Sequence, residues 1–451
     1  MHTRERGFTH YLVGLSFVAA AACADGGSNP IAPLVDASVN EDTGVAPMPL
    51  TFESTVVDGL QSSAIIGDNA VLALDPSGSP AIAYGVVPFD SSDRVIRFAT
   101  RGSGGEWSTE LVVDLGADPE VNVAGGDLVG LGFTYVGTTP HVVYLGGDGD
   151  NNPRTPFRTD LALSTRQGGQ WSEQILVDMS ADVPGDCPDF DPGCNMGNVV
   201  GTYASIAASG NAYAIGFRDT HTGFEEIALS LSDVKMVGSG VAVERSVADL
   251  RRGGGEYTDI ALTPDRRPVL AYNIRVDVSD EDRVGVWAAV YRNGEWIRRK
   301  LGPGFTTART SVEVAQDGTI YVAYFDTLED DLVLATSTDD GDTWSRQIVD
   351  ASGKVGLHPS LALDANDRPV IAYTYCGLTS DRDCPGDLGA RSVVRLARFD
   401  GTDWVISMVD DGQGRGRVGL FNSMAIAPDG TIYVAFQDTQ ESDLVIAEAR
   451  P

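Results

Sequence analysis

The stretch Ser337–Trp344, STDDGDTW, crowds three carboxylates, Asp339, Asp340 and Asp342, into four positions. Acids so close together can share a metal ion, work as an acid/base pair, or do no more than accept the N–H groups of a turn. A second set recurs as FRDT (217–220), YFDT (324–327) and FQDT (436–439). There Asp219, Asp326 and Asp438 hold equivalent places, available either to a ligand or to their own turns. A third, DGDNN (148–152), sets Asp148, Asp150 and Asn152 at alternate positions, the beginning of a Ca2+ loop. Pro153 stands where that loop needs glycine and no glutamate follows at the proper distance, so an acidic solvated loop competes with the metal. His141, His221 and His358 are scattered, and no G-x-S-x-G, H-E-x-x-H or P-loop occurs.

Composition narrows the partners. The 451 residues carry a formal net charge of −32, with 42% hydrophobic side chains. That field repels nucleic-acid and anionic-lipid phosphates, leaving a glycan, a peptide or an envelope protein, and it disfavours self-association, so a monomer is expected. Residues 1–22 read as a signal peptide: Arg4 and Arg6 precede the apolar run Tyr11–Ala22, which is too short to span a bilayer. The run ends on Ala20-Ala21-Ala22-Cys23, which resembles a bacterial lipoprotein cleavage pattern without its usual leucine, with cleavage elsewhere and secretion or a periplasmic location as the alternative. Of the five cysteines, Cys187 and Cys194 form one local pair and Cys376 and Cys384 another. In an exported chain these are two expected loop disulfides, and Cys23 is left over for a lipid anchor. Residues 23–49, rich in Gly, Pro, Asp and Ser, read as a flexible tether.

The elements that position these residues repeat. LALDPSGSPAIAY (72–84), IALTPDRRPVLAY (260–272), VEVAQDGTIYVAY (312–324), LALDANDRPVIAY (361–373) and MAIAPDGTIYVAF (424–436) are copies of one hairpin. Looser copies lie at 131–144 and 206–217. Each is followed by a third strand and, after a glycine turn, by a fourth such as WSTELVVD (107–114), WSEQILVD (171–178) or WSRQIVD (344–350). Seven four-stranded units predict an all-β, seven-bladed propeller over residues 50–451. The seventh unit lacks a fourth strand, and FESTVVD (52–58) has the matching pattern, so the N-terminal strand is expected to complete the last blade.

The octapeptide falls in the turn between third and fourth strands of blade five and resembles the Asp-box, or BNR repeat, of sialidase-like propellers. Ser337, Asp339, Gly341, Thr343 and Trp344 match every defined position. In that family the motif lies opposite the active site, which implies a structural turn. The resemblance also raises a glycoside hydrolase, built on three arginines, a Tyr–Glu pair and an aspartate. No Phe-Arg-Ile-Pro motif is present, since Phe157-Arg158 is followed by Thr159-Asp160, and sialidase propellers have six blades.

The residues therefore favour a non-catalytic binding or scaffold module, anchored at the bacterial outer membrane or cell surface and touching the membrane only through its lipid. The face bearing the loops between second and third strands is its expected ligand surface; a glycoside hydrolase or polysaccharide lyase is the alternative. If Cys23 carries the anchor, Cys23→Ser moves the mature chain from the detergent-dependent to the soluble fraction. Recovery in the membrane fraction after that change refutes the anchor.

Overall fold

In a computed structural model of the chain, the described residues are 35–36, 48–60, 63–89, 94–116, 130–146, 160–177, 199–220, 232–250, 254–275, 281–303, 309–376, 392–412 and 417–450. They form seven four-stranded antiparallel sheets, one of which gains a short fifth strand, Val35–Asp36, paired in parallel with Ser345–Asp350. Blade one is Ala64–Leu74, Pro80–Pro88, Arg94–Arg101 and Trp107–Gly116. Blades two to six open with the strands Leu131–Val136, Val199–Ser209, Gly254–Leu262, Ser311–Val314 and Val355–Leu363. Blade seven runs Val418–Ile426, Ile432–Asp438, Asp443–Ala449 and then, as expected, takes Glu53–Asp58 as its fourth strand. Glu53 pairs with Glu448 and Val56 with Val445, closing the ring.

Antiparallel order puts the second-to-third loops and the links between blades on one face, here called upper. The first-to-second and third-to-fourth turns make the lower face. Each first strand is innermost and faces the central channel.

The apolar side chains form cores between blades rather than within them. One core joins Val269, Ala271 and Leu301 of blade four to Val322, Val333 and Trp344 of blade five. Trp107, Trp171, Trp296 and Trp404 pack into the corresponding borders with the preceding blade. Phe52, standing where the tryptophan would be, packs into the border of blades six and seven. A propeller blade is too thin to bury apolar surface alone, so these borders carry most of its hydrophobic stabilisation.

Polar latches reinforce the same borders. The tyrosine near the end of a second strand donates to the aspartate ending the fourth strand of the blade before. Tyr84 reaches Asp58 at 2.6 Å, Tyr272 reaches Asp249 at 2.9 Å and Tyr373 reaches Asp350 at 2.6 Å. An arginine completes each latch: Arg97 and Arg395, on third strands, reach Asp58 and Asp350, and Arg283, in the 3-10 turn just before the third strand Gly285–Arg292, reaches Asp249.

Burial pushes the Asp350 carboxyl up, but Tyr373, Ser352 and Arg395 outweigh it and hold the group below the ordinary range. Its contribution is therefore present above the unfolded-state value and is lost as pH falls through the lower folded one. Asp350→Ala strands a buried hydroxyl and a guanidinium, and is expected to cost about 2–4 kcal/mol. Tyr373→Phe removes one hydrogen bond and should cost about 1 kcal/mol. Urea midpoints at neutral pH separate the two, and equal small losses would refute the latch.

Candidate functional site

A five-residue pattern governs the upper half of the channel. It reads GDNAV (67–71), GTYAS (201–205), GEYTD (255–259), GLHPS (356–360) and GLFNS (419–423). Its glycine has positive φ and lies hard against the preceding blade. A Cβ on Gly201 would stand 3.0 Å from the Leu161 backbone, and one on Gly356 2.8 Å from that of Leu332. Its third residue also has positive φ: Asn69, Tyr203, Tyr257, His358 and Phe421. The pairing register with the second strand slips at each of these places. Such a bulge re-aims a side chain. Gly130 and Arg309 hold the same place in blades two and five.

The last residue of the pattern is the inter-blade clamp. Asp259 accepts from Val312 N at 2.9 Å, Ser311 from Leu361 N at 3.0 Å, Ser360 from Met424 N at 2.9 Å and Ser423 from Leu72 N at 2.8 Å. Four successive blades are thus stitched to the next by a side-chain acceptor. Val71 and Gly132 cannot do this, and Ser205 Oγ has no partner among the described residues.

Between the two rings lies a cavity of about 140 Å3 to which all seven blades contribute. Its chemistry is mixed. The Tyr203 and Tyr257 rings lie 4.8 Å apart. Arg309 reaches across from blade five, donating to Asn69 Oδ1 of blade one at 2.6 Å and stacking 4.8 Å from the Phe421 ring. Asn422 donates to His358 O and Thr374 Oγ1, while its own Oδ1 has no partner among the described residues. Tyr203 lies in the field of Glu256, which Arg218 and Arg275 engage at 3.5 and 2.9 Å.

Burial dominates the ionisation here. It lowers His358 to about 3, helped by the Arg309 charge, so this imidazole is neutral. It raises Asp259 to about 6 against the pull of the Val312 and Ile260 N–H groups. Glu313, one step deeper in the channel, is raised to about 8 by burial and by Asp259.

The three tempting acid groups behave differently from this site. In STDDGDTW, Ser337 Oγ donates to Asp339 at 2.9 Å and receives Gly341 N at 3.0 Å, while Asp339 accepts Thr343 N at 2.8 Å and Thr343 Oγ1 at 2.5 Å. Trp344 Nε1 closes on Gly341 O at 3.2 Å. Asp340 and Asp342 bind Arg267 and Arg292 of blade four. All of this is on the lower face, away from the channel: the cluster is a turn and an inter-blade clasp.

Asp326 accepts Leu328 N and Glu329 N, and Asp438 accepts Gln440 N and Glu441 N, so both cap their own turns. Asp219 pairs with Lys235 at 2.5 Å. None of the three lines the channel cavity, and of the two uses open to them in the sequence Asp326 and Asp438 follow the turn-capping one. The cause is position: they end second strands, whereas the channel is walled by first strands.

Among the described residues no group of three or more His, Cys, Asp or Glu could hold a metal ion. Asp148, Asp150 and Asn152 lie outside the described residues, as do Cys23, Cys187, Cys194 and Cys384. Cys376 is buried beside Phe325 and Leu357.

No family model matches the chain, and no curated protein matches it. Solved structures do. A protein of unknown function from Dyadobacter fermentans is 10% identical over 88% of this chain and 98% of its own, with a TM-score of 0.48. The NanB sialidase of Streptococcus pneumoniae is 12% identical over 90% of this chain and 71% of its own, with a TM-score of 0.43. The Aleuria aurantia lectin, solved with alpha-methyl-L-fucoside, is 12% identical over 79% of this chain and 98% of its own, also at 0.43. Likeness at these values carries no functional argument.

Glu313 supplies a direct check on the channel. Its folded value lies above the unfolded one, so its proton stabilises the fold fully below about pH 4 and that stabilisation is lost as pH rises through about 8. Glu313→Gln should flatten this loss and gain on the order of 3 kcal/mol at pH 9 relative to the parent. Parallel stability–pH curves for the two proteins would refute the buried site.

Proposed function

We propose that the protein is an exported, Cys23-anchored binding module at the bacterial envelope, and that it takes a glycan at the upper mouth of its channel. One observation carries this: a single cavity where seven blades bring together two tyrosine rings, a guanidinium, amides and hydroxyls. A sugar ring needs that mixture, an aromatic face for its C–H surface and convergent donors and acceptors for its hydroxyls. The strong negative charge elsewhere keeps such a module soluble and apart from its own copies.

Hydrolysis is the second reading, favoured by the proximity of Tyr203, Glu256 and three arginines. Against it, Arg218 and Arg275 are engaged by Glu256, and the Asp259 oxygens by backbone N–H groups. Neither set is left to clasp a substrate or move its protons.

The test is a glycan panel offered to the Cys23→Ser chain with product analysis by mass spectrometry. Retention without cleavage is expected. Tyr257→Ala and Arg309→Gln should each weaken it at least tenfold, about 1.4 kcal/mol or more, while Asp339→Ala on the lower face leaves it unchanged. Released sugars would replace binding by hydrolysis. Loss of retention with a chelator would make Asp148, Asp150 and Asn152 Ca2+ ligands. No retention of any glycan would leave a peptide or envelope protein as the ligand.

A further inference from the structure

One layer of the channel wall is broken at a single place. Two residues below the clamp position, on the same side of each first strand, six blades carry Ala73, Thr134, Ala207, Ala261, Ala362 and Ala425. Blade five carries an acid there, Glu313. Strand pairing fixes the equivalence. Ala73 stands opposite Ala81, Ala261 opposite Val269 and Glu313 opposite Tyr321, in each case three residues before the second-strand tyrosine Tyr84, Tyr272 or Tyr324.

Nothing among the described residues neutralises that carboxyl. The Val314 N–H is its one donor, and its one charged neighbour is another acid, Asp259. The Arg309 guanidinium acts on Asp259 but not on Glu313, being turned to Asn69 and Phe421 nearer the mouth. Its hairpin partner is Tyr321, and the adjoining blades present Ala261 and Ala362 at the same level. Burying a carboxyl costs free energy that alanine avoids, so the fold does not call for an acid here.

The cavity above shares the imbalance. Asn422, 2% exposed and in the cavity wall, donates to His358 O and Thr374 Oγ1, while its Oδ1 accepts nothing among the described residues. Ser205 Oγ, in the same wall, has no partner there either. Acceptors are in surplus, and two of them are carboxyls, so the complement is a cation rich in donors. A metal ion is poorly served, since no group of three His, Cys, Asp or Glu comes together among the described residues. An alkylammonium is well served: its three N–H bonds suit two carboxyls and a neutral acceptor. The paired Tyr203 and Tyr257 rings favour a cation beside them, and the net charge of −32 draws one in.

We infer that Glu313, together with Asp259, receives an ammonium group, so that the glycan proposed above is an amino sugar whose amine is free rather than acetylated. This rests on the glycan reading of the cavity and narrows it. Arg309 and the tyrosines hold the sugar nearer the mouth, and the amine points down the channel. Acetylation would remove the charge and two of the three N–H bonds. Glu313, raised to about 8, keeps its proton at about pH 6.5 in the empty protein. Seating an ammonium against it breaks the carboxyl O–H bond: the carboxylate stays with the ligand and the buffer takes the proton.

Calorimetry on the Cys23→Ser chain tests this, with a short glucosamine oligosaccharide and its fully N-acetylated counterpart at about pH 6.5, in two buffers of different ionisation enthalpy. The amine form should bind at least tenfold more tightly, about 1.4 kcal/mol or more. In Glu313→Gln, and in Glu313→Ala with the residue five other blades use, its affinity should fall to that of the acetylated form. The parent should also release about one proton more per ligand than Glu313→Gln, a difference that a purely structural role would not produce. Urea midpoints no lower than the parent's confirm an intact ring. Equal affinities for the two forms, or a preference unchanged in Glu313→Gln, overturn the inference and leave the glycan reading standing. A preference without the extra proton overturns Glu313 as the receiver. Binding of neither form, with some other glycan retained from the panel, overturns the amine alone; retention of no glycan at all ends both.

Discussion

Each blade pairs its strands internally, but the inner edge of every first strand faces the channel with backbone N–H groups that no neighbouring strand can satisfy. A buried donor left this way costs about 1–3 kcal/mol, and a ring of blades multiplies the cost. The acceptors at Asp259, Ser311, Ser360 and Ser423 remove it at four of the seven borders by reaching the first strand of the next blade. The same bond that satisfies the donor fixes the rotation of one blade against the next. Those four contacts set the spacing of blades four to seven and blade one around the cavity.

Two further systems act at larger radius and agree with the first. The Tyr–Asp–Arg latches hold the upper half of three borders, and the tryptophans, with Phe52, fill the borders nearer the lower face. A hydroxyl, a buried indole and a serine clamp have little in common chemically, yet each spans the gap between consecutive sheets. This explains why the closing strand is taken from the N-terminus. Without Glu53–Asp58, Asp58 is not in place for Tyr84 and Arg97, and Phe52 is missing from the last core.

The hairpins, the glycine turns and the opening tryptophans are legible in the sequence because they recur with the same residue types at nearly the same spacing. The Val-Asp endings are visible too, but not their purpose, since the partner of Asp350 is Tyr373 in another blade. The channel residues are hidden by the opposite property. The glycine repeats around them, with serine four residues on in three copies, but the middle position varies between asparagine, tyrosine, histidine and phenylalanine, so self-comparison discards it. Crowded acids misdirect for a related reason. A carboxylate two or three residues from free N–H groups finds them first, as Asp326 and Asp438 do.

That contrast separates scaffold from site within one chain. Where the backbone demands something, the repeats converge: glycine for close approach, serine or aspartate for the clamp, tyrosine for the latch. At the bulged position the backbone is equally constrained, with positive φ in six blades, yet it carries Asn69, Gly130, Tyr203, Tyr257, His358 and Phe421. Positive φ disfavours bulky side chains, so folding alone would have settled on glycine throughout, as blade two does. Five other blades accept that strain and blade five supplies Arg309, all at one depth in one channel. Side chains kept at an energetic disadvantage, of four different types and all converging, are the pattern expected of a surface shaped for a ligand with several distinct groups.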